Sequence, residues 1–205
     1  MNLTITASAL ITPQAVHLNE QPLMHNDQGL PFDQYARSLY KRLELTYPKF
    51  FKMDELCQLA FLSAELLTQH LDDWNGDEVA IVIGNKHASI ASDQKHHKTI
   101  ADKADYFPGP AVFVYTLPNI MLGEICIRQK ITGENSCFIM DQLDAEFLYP
   151  YVHHLFKTED YRYCITGFVD YTDESYLAQL FLIEPGEKGN GPLAFNEYFN
   201  KIRPL

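Results

Sequence analysis

The chain has 205 residues with a formal net charge of −11, and 46% of its residues are hydrophobic. That length and apolar content suit one domain with a sizeable core and exclude a disordered or low-complexity chain. The negative charge argues against nucleic acid and anionic membrane surfaces as partners, because both need a basic face, and no apolar run nears the roughly 20 residues that span a bilayer. Cys57, Cys126, Cys137 and Cys164 are widely spaced and each sits in an apolar segment, outside any CxxC pair. They read as free thiols used as small core hydrophobes, with neither a disulfide framework nor a zinc site. With no signal-like leader, a cytoplasmic protein without metal or cofactor is expected.

Residues 3–12 alternate and are rich in Thr, Ile and Ala, which predicts a first strand ending at Pro13. A stretch with Pro22, Asn26, Asp27 and Gly29 reads as loop, and 32–45 carries helical spacing through Phe32, Tyr35, Leu39, Tyr40 and Leu43. The clearest helix runs over 53–70, with Leu56, Ala60, Ser63, Ala64 and Leu67 on one face and Asn75-Gly76 closing the segment. Residues 79–84, VAIVIG, form a β-branched run ended by glycine, the pattern of a strand covered on both faces. Residues 85–106 are polar and read as loop with a short helix. Helix 119–131, short strand 136–140 and helix 143–156 follow, the last interrupted by Pro150. Two strands, 163–169 and 177–183, flank a polar turn, and a loop-like tail ends in a short amphipathic segment at 195–202. This succession implies right-handed βαβ crossovers and an α/β architecture.

Several residues in that order resemble the N-terminal half of the β-ketoacyl synthases of the thiolase superfamily. Lys52-Met53-Asp54 before the 56–67 helix is similar to the basic-Met-Asp opening of that family's first core helix. Residues 113–119, FVYTLPN, look like its apolar segment ending in Pro-Asn, with Gly123 four residues on; Gly133-Glu134-Asn135 is similar to its Gly-x-Asn turn. Residues 164–170, CITGFVD, resemble its Val-Gly-Gly-x-Asp strand, although only Gly167 is present and it stands one residue further from Asp170. The resemblance implies a thiolase-like half with a mixed, mostly parallel five-stranded sheet and helices on both faces. Residues 1–185 form the expected domain, and 186–205 a tail packed on it.

Active members place the nucleophilic Cys nine residues after the turn glycine. Counting from Gly133 leads to Gln142, preceded by Asp141. Cys137 falls five residues early, inside the strand, away from any helix N-terminus that would make it a thiolate. None of the eight histidines matches the family's two active-site histidines, which belong to a C-terminal half. Adjacent histidines such as His153-His154 point apart on a helix and do not form an i, i+4 chelating pair.

The resemblance therefore implies no catalytic residue, with Gln142, Asp141 and Asn119 as candidate substrate-binding residues. An acidic residue followed by Gln is similar to the chain-length-factor subunits that pair with active ketosynthases, while Asp141 also reads as an ordinary helix cap. The expected function is a non-catalytic, ketosynthase-like accessory subunit in fatty-acid or polyketide-type chain elongation. Two alternatives stand beside it: a synthase active only with a partner chain, and a small-molecule acyl-binding module. The resemblance also sets the 119–131 and 143–156 helices between two sheets. Leu122, Ile125, Phe147 and Tyr151, with Ser136 and Phe138 on the short strand, are then the expected interface for a homodimer or a heterodimer with a ketosynthase-like chain. Lys41, Arg42, Lys49 and Lys52 form a local basic patch that would suit an acidic acyl carrier protein.

Overall fold

The computed structural model describes residues 1–186, the side chain of Asp105 excepted. The expected tail, 187–205, with its amphipathic segment at 195–202, lies outside the described residues. One mixed sheet of seven strands carries the fold: β1 (Asn2–Ile11), β2 (Ala15–Leu18), β3 (Gln21–His25), β4 (Val79–Asn85), β5 (Asn135–Ile139), β6 (Tyr163–Tyr171) and β7 (Tyr176–Gly186). Their order is β3-β2-β1-β7-β6-β4-β5. The helices are α1 (Phe32–Arg42), α2 (Glu55–Thr68), α3 (Ile90–Ile100), α4 (Pro110–Phe113), α5 (Ile120–Gln129) and α6 (Ala145–Thr158).

The α/β class and the helices on both faces hold, while the strand count and the parallel share differ from the expectation. β4 pairs in parallel with β5 and β6, and the remaining ladders are antiparallel. The two extra strands lie in the stretch read as loop. Their turn is made by Asn19 and Glu20, with φ of 51° and 64°; a tight hairpin needs two consecutive left-handed residues, and here neither is the glycine that would announce it. Pro22 is tolerated because β3 is an edge strand.

β4 is fully buried, as the VAIVIG run requires. Its odd residues Val79, Ile81 and Ile83 face α2 and α5, together with Ile165, Val169, Leu180 and Leu182 of the neighbouring strands. Ala80 and Val82 face the other way, with Cys164, Phe181, Ile183 and Leu3, onto Leu148, Val152 and Leu155 of α6. α5 and α6 thus cover opposite faces of this sheet, which corrects the expectation of a shared layer. Leu122 and Ile125 are 1% and 0% exposed against α2, so their place is the chain's own core and they cannot meet a partner in this fold. α2 is buried along nearly its whole length, and Glu65 inside it takes two hydrogen bonds from the Arg128 guanidinium, at 2.9 and 3.0 Å. Among the described residues no single helix is long and apolar enough to cross a membrane.

Candidate functional site at the C-terminal ends of the parallel strands

Parallel strands gather ligand-handling groups beyond their carboxyl ends, where crossovers diverge to opposite faces. Here β4, β5 and β6 end together: Asn85 closes β4, Met140 N–H donates to Asn85 O at 2.9 Å, and Asp170 lies near the end of β6. Two groups come from these ends, and a third lies along the outer side of β5.

The first is built on Asp170, whose side chain is 13% exposed. Its Oδ1 accepts from Asn85 Nδ2 (3.2 Å), Lys86 N–H (3.2 Å) and His87 N–H (2.8 Å), and its Oδ2 lies 2.6 Å from His87 Nδ1. Ala88 follows with φ of 51°, a left-handed conformation unusual for alanine. The carboxylate thus folds the turn after β4 onto β6 and fixes one imidazole nitrogen. The matched strand end pointed to Asp170, but nothing pointed to His87. The available signal was an Asn-Lys-His run directly after one buried strand and an Asp at the end of the next, which adjacent parallel strands bring together.

The second group is the junction after β5. Asp141 and Gln142 are exposed in a bend that precedes α6. The cap of α6 is Asp144, whose carboxylate accepts from Phe147 N–H at 3.0 Å; the helix starts three residues later than Gln142, so Asp141 does not cap it. Asn119 opens α5, exposed and without a side-chain cap bond. It belongs to the helix on the α2 face, whereas Gln142 leads to the helix on the other face. The sheet lies between those helices. Cys137 is half-buried in β5, and burial pushes its thiol up to about 11, the opposite of an activated nucleophile.

The third group is the outer side of β5, which among the described residues pairs with β4 alone. Ile81 N–H donates to Glu134 O, and Met140 N–H to Asn85 O, so the even residues face β4. The main-chain groups of Asn135, Cys137 and Ile139 point outward. Beside this edge the structure brings four of the six expected interface residues together. The Phe138 ring centroid lies 4.8 Å from that of Phe147 and 5.1 Å from that of Tyr151. Tyr151 OH lies 3.2 Å from Ser136 Oγ, which donates to Glu134 Oε1 at 2.6 Å. Ile139 is 62% and Phe147 41% exposed.

On the α2 face, a cleft of about 240 Å³ is lined by Met53, Asp54, Ser92, Lys95, Val112 and Tyr115, among others. Asp54 caps α2 by accepting from Cys57 N–H at 2.9 Å and also accepts from Ser92 Oγ at 2.6 Å. Desolvation raises its carboxyl above the ordinary range. The expected basic patch is divided: Lys49 is paired with buried Glu124 at 2.6 Å, while Lys41, Arg42 and Lys52 stay exposed. No group of three or more His, Cys, Asp or Glu among the described residues is placed to hold a metal ion.

No protein-family model matches the chain, and no curated protein matches its sequence. Solved structures do match its fold. A chain of the ishigamide ketosynthase/chain length factor aligns with a TM-score of 0.67 at 13% identity, over 93% of this chain and 64% of that one. A chain of the ketosynthase ApeO in complex with its chain length factor ApeC, from Xenorhabdus doucetiae, aligns at 0.56 and 16% identity over 91% of this chain and 80% of that one. A chain of AntDE:AntF, a type II polyketide acyl-carrier protein in complex with its ketosynthase, aligns at 0.61 and 11% identity, over 89% and 62%. The chain thus spans less than two thirds of the first and third matched chains, while the matched Xenorhabdus chain is itself not much longer than this one. At such identities the likeness shows the fold: this is a ketosynthase-like, thiolase-type fold.

Proposed function

We propose that the chain is an accessory subunit without a nucleophile of its own, pairing with a ketosynthase-like chain in polyketide or fatty-acid type chain elongation. The observation that carries this reading is the outward-facing edge of β5, flanked by the Phe138, Phe147 and Tyr151 rings. An unpaired edge beside exposed apolar side chains is a pairing surface unless something covers it. Covalent acyl transfer needs an activated nucleophile. Counting along the resemblance puts the amide of Gln142 where that thiol would stand, and Cys137 is held protonated inside the sheet. Solved chains of the same fold occur in complexes of a ketosynthase with a chain length factor, which supports a partner of that kind.

Co-expression with a ketosynthase-like chain encoded beside it tests the reading. The two chains are expected to co-purify in equal amounts, and a labelled acyl thioester should mark the partner only. Label on this chain would instead make it a synthase completed by its partner. No complex, together with saturable acyl binding by the chain alone, would favour the binding-module reading, for which the cleft beside Asp54 and Tyr115 is the specific support. An acidic carrier protein would dock at Lys41, Arg42 and Lys52, beside Phe51, whose ring lies under the Arg37 guanidinium at 5.7 Å. Lys49, spent on Glu124, would contribute little there.

A further inference from the structure

The chemistry around the β5 edge says what kind of chain fits it. We infer that the occupant is a different chain carrying Lys or Arg beside its own exposed strand, and that a second copy of this chain is rejected by charge; this rests on the pairing reading above. Residues 134–152 hold four carboxylates, on Glu134, Asp141, Asp144 and Glu146, and neither Lys nor Arg. Glu134 stands just before β5, Asp141 just after it, and Asp144 and Glu146 begin α6. The acids therefore bracket both ends of the strand, around an apolar and aromatic middle of Phe138, Ile139, Phe147 and Tyr151. The neighbouring strand end offers Lys86, which offsets one charge, and His87, whose ring nitrogen is engaged by Asp170.

Two copies pairing antiparallel through β5, about its central residue Cys137, would set Glu134 of each beside residues 140 and 141 of the other. Both strand ends would then carry two facing acids, in an assembly of two chains with a net charge of −11 each. Like charges set directly opposite destabilise a strand pair, and at a separation shorter than the screening length of physiological salt that repulsion persists until the salt is raised well above that level. A basic flank on the partner turns the same four carboxylates into attractive contacts that steer association and exclude the wrong chain.

The test uses the full chain and a charge-reversed copy carrying Glu134→Lys, Asp141→Lys and Glu146→Lys. A second version, with Asp141→Lys and Glu146→Lys alone, keeps the Glu134 hydrogen bonds in case the triple variant fails to fold; it sets the lysine introduced at position 141 beside Glu134 of its own second copy and is expected to dimerise by itself. In sedimentation at micromolar concentration the wild-type chain and the triple variant, each alone, are expected to run as monomers. The equimolar mixture should run as a dimer that weakens at least about tenfold in high salt. Cys137→Pro in either member should abolish the dimer, because that N–H faces away from β4 and its loss blocks the edge while sparing the ladder. A wild-type dimer that Cys137→Pro disrupts would overturn the charge rule and leave the edge reading standing. A mixture that stays monomeric would overturn both.

Discussion

At Gly167 the backbone of β6 has φ of +146°, and a Cβ there would sit 2.1 Å from Gln179 O of β7. The nearest atoms belong to the main chain of a central strand, so nothing yields easily. Gly167→Ala is expected to cost about 3 kcal/mol or more, as a lowered midpoint in urea unfolding. The cysteines give a second residue-level expectation. Burial pushes Cys126 and Cys137 up to about 11, so alkylation by iodoacetamide should be slow at pH 8 and rise about tenfold per pH unit toward that value. A fast-reacting thiol at neutral pH would remove the case for a chain without a nucleophile. The shift has a sign for stability as well. Because the folded state holds these thiol protons more tightly, the stability they contribute is full below the ordinary value of 9.0 and is lost as pH rises through about 11.

Two elements, α2 and α5, are joined by a buried charge network. Glu65, 3% exposed, takes the Arg128 fork, and Gln129 Nε2 donates to it at 2.5 Å. Arg128→Ala would leave that carboxylate buried without its cation and is expected to cost about 3 kcal/mol in thermal or chemical unfolding. One turn earlier, a methyl group on Gly123 would meet nothing within 4 Å, and the backbone φ there is an ordinary helical one. Gly123→Ala should therefore stabilise the protein by about 0.5–1 kcal/mol, seen as a raised Tm; a loss of stability would mean that the glycine accommodates something close to α5. The resemblance singles this glycine out, while the packing asks for none there.

For the molecule as a whole, the decisive feature is that β1 lies between β2 and β7, with Leu3 and Ile11 at 0% and 2% exposure. Its ladder with β7 runs from Asn2 opposite Gly186 to Ile11 opposite Ala178, joining the two ends of the described chain. Such distant pairing makes folding slow and all-or-none in character. Deleting residues 1–11 would detach the β2–β3 hairpin and strip the edge of β7, and circular dichroism is expected to show no cooperative melt. A cooperative transition in the shortened chain would show instead that β4–β7 and their helices fold by themselves.

Much of this was legible along the chain because local chemistry repeats at the period of each element. The β-branched run 79–84 announced a strand buried on both faces, the apolar spacing from Leu56 to Leu67 a buried helix, and residues 163–169 a strand, whereas the Asp54 cap and the close approach of β7 to Gly167 came only with the structure. Counting along the resemblance also led to the amide of Gln142 at the position where active ketosynthases keep a thiol. Contacts between distant segments carry no such period. The β2–β3 hairpin turns on two left-handed residues that are not glycine, His87 meets Asp170 across 83 residues, and which apolar helix residues stay free depends on what lies opposite. Leu122 and Ile125 disappear against α2 while Phe147 and Tyr151 gather beside β5, because the two helices cross to opposite faces of one sheet, and only the assembled sheet sets those faces.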